Sequence, residues 1–142
     1  MKIRDVMTRS VEVARPTDTI QQIARRMSEL DTGFMPICDG RKVQGVITDR
    51  DIVIRVVAEN GDVNAPVSQY MTEQVEFADE NEALDKIADR MGDDQIRRMI
   101  VVDENKDLVG VVSLGDLARE GKAKTIGRAL GEISEPGDQP AS

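Results

Sequence analysis

The chain repeats itself, and that constrains its fold more than any other feature. Residues 7–39 set against residues 71–103, a shift of 64, agree at eleven of 33 positions, among them Met7/Met71, Thr8/Thr72, Ile23/Ile87, Arg26/Arg90, Met27/Met91 and Met35/Met99. After one inserted residue the match resumes at a shift of 65 with Gly45/Gly110, Thr48/Ser113 and Asp51/Asp116. A period this long, present twice, predicts two similar subdomains and not a solenoid. The 142 residues suffice for one domain or two small ones sharing a core.

Each copy reads alike. Val11–Val13 and Val75–Phe77 alternate as short strands. Thr17 or Asp18, and Asn81 in the second copy, are placed to cap the helices that follow. Ile20, Ile23, Ala24, Met27 and Leu30 keep helical spacing, as do Leu84, Ile87, Ala88 and Met91, with Gly33 and Gly92 as helix stops. Two apolar runs then flank a turn, Phe34–Cys38 with Val43–Ile47 and Met99–Val102 with Leu108–Val112, predicting hairpins. Second helices begin at Asp51 and Asp116. The reading is an α+β, sandwich-like fold of two β-α-β-β-α repeats packed around one shared core. Repeat one is placed at residues 1–60, a linker at 61–66 with Asn60-Gly61 as its turn, repeat two at 67–121, and a tail at 122–142 with a short helix over Thr125–Ile133 and a frayed end from Glu135.

Composition excludes several functions. The net charge of −8 argues against nucleic acid, which is bound through clustered Lys and Arg. With no histidine and one cysteine, the usual zinc ligand sets and His-based catalytic groups are missing, so an enzyme is not expected. No apolar run approaches the ~20 residues of a membrane span, and Met-Lys-Ile-Arg-Asp-Val lacks a secretory h-region. Cys38 has no internal disulfide partner, which points to the cytoplasm.

The chemistry concentrates where each hairpin runs into a helix. Gly45-Val-Ile-Thr-Asp-Arg-Asp-Ile52 and Gly110-Val-Val-Ser-Leu-Gly-Asp-Leu117 each deliver a hydroxyl, unpaired helix-start N–H groups and a carboxylate to one loop. Such a set suits a ribose and its phosphate, with Thr48 and Ser113 beside Asp51 and Asp116. Equally, Thr48 is a cap and Asp51 a first-turn acid with no ligand. Arg97 and Arg98 precede a strand, and one of them can fork a phosphate. Arg50 is a second candidate. Gly115 replaces it in copy two, so two unequal sites are expected.

These residues resemble a tandem pair of cystathionine-β-synthase (CBS) domains, a Bateman module, of the stand-alone bacterial type. The resemblance rests on Asp5-Val-Met-Thr8 and Gln69-Tyr-Met-Thr72, on Met35-Pro-Ile-Cys-Asp39 and Met99-Ile-Val-Val-Asp103, and on the two Gly-x-x-Thr/Ser-x-x-Asp endings. It implies a pseudo-twofold axis relating the repeats and clefts for AMP, ATP or NAD, with no cofactor required. It further implies that Asp116 and Ser113 are joined by Thr8, Glu12, Thr32, Gly33 and Arg98, and that Asp51 and Thr48 are joined by Thr72, Glu76, Ile96 and Arg97. A homodimer, often a disc of four domains, and an unknown downstream protein complete that expectation, without nucleic acid or membrane. The alternative is a dimeric interaction adaptor whose clefts are vestigial.

Overall fold

A computed structural model describes residues 1–120. The helix expected over Thr125–Ile133 and the frayed end lie outside the described residues. Copy one contains α1 (Ile20–Leu30), β1 (Phe34–Asp39), β2 (Lys42–Thr48) and α2 (Asp49–Asp51), which continues as a π-helical stretch, Ile52–Val57. Copy two contains β3 (Phe77–Asp79), α3 (Leu84–Asp93), β4 (Arg98–Val102), β5 (Leu108–Ser113) and α4 (Leu114–Glu120). A 3₁₀ turn opens each copy, Ile3–Asp5 and Val67–Gln69, at positions 64 apart.

Both hairpins form. β1 pairs antiparallel with β2, from Phe34 opposite Thr48 to Asp39 opposite Lys42, and Gly40 turns the chain at φ +60°. β4 pairs with β5 from Arg98 opposite Ser113 to Val102 opposite Leu108. The leading strands differ from expectation. Only Ala14 pairs in copy one, as a single parallel bridge to Ile37, and in copy two the strand starts at Phe77. Glu12 and Glu76 in those leading runs instead meet Arg26 and Arg90, at 3.1 and 3.0 Å.

The helix ends also differ. Thr19, not Thr17 or Asp18, caps α1: its hydroxyl accepts from Gln22 N at 3.2 Å, and the Gln22 side chain accepts from Thr19 N at 2.9 Å. Asp18 instead closes a turn by accepting from Arg15 N. α3 starts after Ala83, with no side-chain cap, and Asn81 does not serve. The left-handed residues after the helices are Asp31 and Gln95, not glycines; Gly92 lies buried within α3. Leu30, expected in the core, is 42% exposed, because α1 ends there and its last turn has left the packed face.

The chain divides into two compact units that do not follow the order of the copies. The first-repeat lobe is Glu12–Val75; the second-repeat lobe joins Met1–Val11 to the described residues from Glu76 onward. Each copy's opening segment therefore belongs to the other copy's lobe. In the second-repeat lobe, Thr8 N donates to Val111 O at 2.9 Å and Val111 N to Thr8 O at 3.0 Å. In the first-repeat lobe, Thr72 and Val46 exchange the equivalent bonds at 2.8 and 2.9 Å. The connector is held the same way, with Ala65 and Val63 carbonyls accepting from Ile20 N and Gln21 N at the start of α1.

Burial follows the lobes. Ile20, Ile23, Met27, Met35, Ile37, Ile47 and Val56 centre one cluster, and Ile87, Met91, Met99, Val101, Val112 and Leu117 the other, with Ile3 and Met7. Each lobe thus has a core cluster of its own. The exchanged segment supplies the apolar side chains that each short sheet and its helices leave uncovered.

Candidate functional site

Gly45 and Gly110 open the two motifs for a steric reason. A Cβ on Gly45 would lie 2.6 Å from the Thr72 carbonyl oxygen, and one on Gly110 would lie 2.8 Å from that of Thr8. Only glycine lets the exchanged segment approach this closely. The consequence is functional: Thr8 pairs two residues before Ser113, and Thr72 two residues before Thr48.

At the end of β2, Thr48 and Asp51 bind each other's backbone. Thr48 Oγ1 accepts from Asp51 N at 3.1 Å, and Asp51 Oδ2 accepts from Thr48 N at 2.9 Å. Ser113 and Asp116 repeat the arrangement at 3.1 and 2.9 Å. These are capping boxes, the reciprocal pairs that hold a helix start. In each, Oδ2 is committed to the cap while Oδ1 faces an arginine: Arg55 Nη2 at 3.6 Å from Asp51, and Arg119 Nη2 on Asp116. Asp116 is buried and its arginine largely exposed, so the pair contributes little, about 0–1 kcal/mol.

The free N–H groups expected at the first motif are not free. Asp49 N donates to the Gly33 carbonyl at 3.0 Å, Arg50 N to Asp49 Oδ1 at 2.8 Å, and Asp51 N to Thr48. A phosphate there would be met by side chains. The Arg50 side chain is exposed and has no ion-pair partner among the described residues.

The remaining expected residues divide by lobe. The second-repeat lobe holds Thr8, Arg98, Ser113 and Asp116 together, with Arg98 opposite Ser113 in the hairpin register. The first-repeat lobe holds Thr48, Arg50, Asp51 and Thr72. Glu12, Thr32 and Gly33, expected with Asp116, belong to the first-repeat lobe; Glu76, Ile96 and Arg97, expected with Asp51, belong to the second. Within its own lobe Gly33 abuts Asp49, whose carboxylate would lie 2.5–2.8 Å from a Cβ there. The Arg97 carbonyl matches it by accepting from Leu114 N at 2.8 Å.

Sequence reading missed Asp49, Arg55 and Arg119, although the i,i+4 spacing of Asp51 and Arg55 was a usable signal. It also missed a cavity of about 400 Å³ in the first-repeat lobe, lined by Ala24, Met27, Ser28, Asp31, Thr32, Gly33, Asp49, Ile52 and Val53. No helix among the described residues is long and apolar enough to cross a membrane.

Known proteins share this architecture. The CBS domain profile matches residues 3–58 and 67–122. "CBS domain-containing protein YhcV" of Bacillus subtilis is 37% identical over 133 residues, covering 93% of this chain and 94% of that one. "Hypoxic response protein 1" of Mycobacterium tuberculosis is 33% identical over 135 residues, 94% of both chains. The crystal structure of Hypoxic Response Protein I, described with two coordinated zinc ions, superposes with a TM-score of 0.76, covering 86% of this chain and all of that one. Zinc does not fit here: the sequence has no histidine, Cys38 is buried, and no group of three or more His, Cys, Asp or Glu could hold a metal among the described residues. The CBS domain pair of protein MJ0100, in complex with 5′-methylthioadenosine and S-adenosyl-L-methionine, is 28% identical with a TM-score of 0.73, over 84% of this chain and 94% of that one. With two matched domains, a duplicated hairpin–helix motif and relatives aligned over nearly their whole length, the chain belongs to the CBS domain family, as a tandem pair.

Proposed function

We propose that this chain is a non-catalytic regulatory module of the cytoplasm that binds an adenosine-type nucleotide, AMP, ATP or NAD, and signals as a homodimer to a separate protein. One observation carries the reading: both copies present a hydroxyl beside an aspartate whose Oδ1, among the described residues, is met by an exposed arginine. An ionised carboxylate oxygen in that setting accepts hydrogen bonds from ribose hydroxyls, with the guanidinium free to swing aside. Adenosine ligands on the MJ0100 pair support the same class. The two motifs present Asp49-Arg50 and Leu114-Gly115, which favours unequal affinities for the more highly charged nucleotides.

Calorimetry on ligand-stripped protein with AMP, ATP and NAD tests this. Binding of at least one nucleotide is expected, weakened about tenfold or more by Asp51→Ala or Asp116→Ala, in line with loss of a hydrogen bond to a charged group. Stripped wild-type protein that binds none of the three would refute the reading.

A second reading has its own observation. Both aspartates are fully explained as cap residues, which favours an interaction adaptor with vestigial clefts. That reading expects unchanged partner binding in Asp51→Ala and Asp116→Ala variants that remain folded.

A further inference from the structure

The two copies meet their site aspartates with different arginines, and one of these reaches past its aspartate. In copy one the Arg55 guanidinium divides its two ends. Nη2 stands 3.6 Å from Asp51 Oδ1, while Nη1 donates to the Tyr70 carbonyl at 2.8 Å. In copy two the arginine is Arg119, three residues after Asp116 instead of four, and among the described residues it meets Asp116 alone. The position of Arg55 is taken there by Glu120, and that of Tyr70 by Val6. Each helix start already has its own capping box, so the second hold of Arg55 is not needed to form the helix. Arg55 also lies in the π-helical stretch, an irregularity common at functional sites.

Its second partner belongs to the exchanged segment. Tyr70 N and Met71 N both donate to the Val67 carbonyl at 2.9 Å, and Thr72 pairs with Val46. The Tyr70 hydroxyl lies against Gly61, where a Cβ would come within 2.7 Å of it. Three residues after Thr72, at Val75, the chain leaves the first-repeat lobe.

We propose that Arg55 is a latch between the nucleotide site and the exchanged segment. A ribose hydroxyl that takes Asp51 Oδ1 frees Arg55 from the aspartate and loosens its hold on Tyr70. Occupancy is thereby passed to the stretch of chain that leads into the second-repeat lobe. This rests on the nucleotide reading above and assigns the residue that reports on it. A guanidinium suits the task because its planar fork is rigid: turning away from the carboxylate moves the nitrogen that holds the carbonyl. Opening the latch costs little, since exposed ion pairs of this kind oppose a competing ligand by at most about fivefold in affinity. By reciprocity, whatever the ribose does to the latch, the latch does to ribose binding. Copy two carries no such link, so the second repeat binds without reporting through this route.

Hydrogen exchange of the full chain tests it, with and without whichever of AMP, ATP and NAD binds tightest in calorimetry. In wild type, saturation should speed exchange severalfold at the Tyr70 and Met71 amides. Arg55→Gln should exchange severalfold faster at both amides before any nucleotide is added, and show no further change with it. It should also bind the nucleotide more tightly, by up to about fivefold, whereas loss of a merely structural arginine would weaken binding or leave it unaltered. Arg55→Lys keeps a charge near Asp51 without the fork; it should bind as wild type yet lack the response at Tyr70, and it keeps the test open if the glutamine variant misfolds. The Val6 and Met7 amides, at the matching positions, should be indifferent to Arg55. Nucleotide binding by wild type with no change at Tyr70 and Met71, or with the same change in folded Arg55→Gln or Arg55→Lys, would overturn the latch while the nucleotide reading stands. Wild type that binds none of the three nucleotides would overturn both.

Discussion

Gly110→Ala tests the segment exchange directly, since the added methyl group must occupy space already held by backbone. Its Cβ would sit 2.8 Å from the Thr8 carbonyl oxygen and 2.7 Å from Met7 Sδ. The methionine sulfur can rotate away; the carbonyl can move only by shifting the Thr8 strand segment. That shift strains two hydrogen bonds, at 2.9 and 3.0 Å, worth about 0.5–1.5 kcal/mol each. It also lifts the buried Met7 side chain, whose full burial is worth about 1.5–3 kcal/mol. Against this stands a gain of about 0.4–1 kcal/mol from restricting the unfolded chain. The net expectation is destabilisation by about 2–3 kcal/mol, a large share of the 5–15 kcal/mol typical of a folded protein. Thermal unfolding should fall by roughly 5–10 °C at the ~2–4 °C per kcal/mol of proteins this size. Gly115→Ala is the matched control. It meets nothing nearer than Ser113 Oγ at 3.6 Å and sits in α4, where alanine is favoured over glycine by up to about 1 kcal/mol. A Gly110→Ala protein as stable as wild type would refute the argument that this glycine exists for the Thr8 contact.

Burial raises the Cys38 thiol from 9.0 to about 11, so the folded state keeps its proton where the unfolded chain loses it. Stability from this group is complete below pH 9 and declines as pH climbs toward 11; Cys38→Ala should flatten that decline in unfolding experiments, and prompt reaction of the native protein with a thiol reagent at pH 8 would contradict the burial argument. At the helix starts, Thr19→Ala should cost about 1 kcal/mol in denaturant unfolding, whereas Ala83→Ser, where no side-chain cap exists, should gain up to about that much. Equal and negligible effects at both positions would count against the cap assignment.

How much could be read in advance depended on how local the interaction was. The hairpins were legible to within a residue because alternation and a turn at Asp39-Gly40 specify pairing between neighbours. Helix starts were misread by a few residues, since Thr17, Asp18 and Thr19 all carry capping oxygens and only geometry selects one. The leading strand of copy one shrank to a single bridge at Ala14, because a strand's length is decided by what pairs with it. Thr48, Asp51, Ser113 and Asp116 stood out because they recur; Arg55 and Arg119 did not, being at different offsets from their aspartates.

The sequence by itself determined the duplication, the hairpin–helix unit, the family and the residues at each motif, all of which follow from periodicity and spacing along the chain. Only the tertiary structure decided that the opening segment of each copy completes the other copy's lobe. Contacts such as Thr8 with Val111 join residues about a hundred positions apart, and no local pattern encodes them. Two glycines admit those contacts, and their reason is visible only from the backbone they allow to approach. Tertiary structure likewise turned three apolar residues of the π-helical stretch into an exposed face, because periodicity alone leaves open which side of a helix its core will cover.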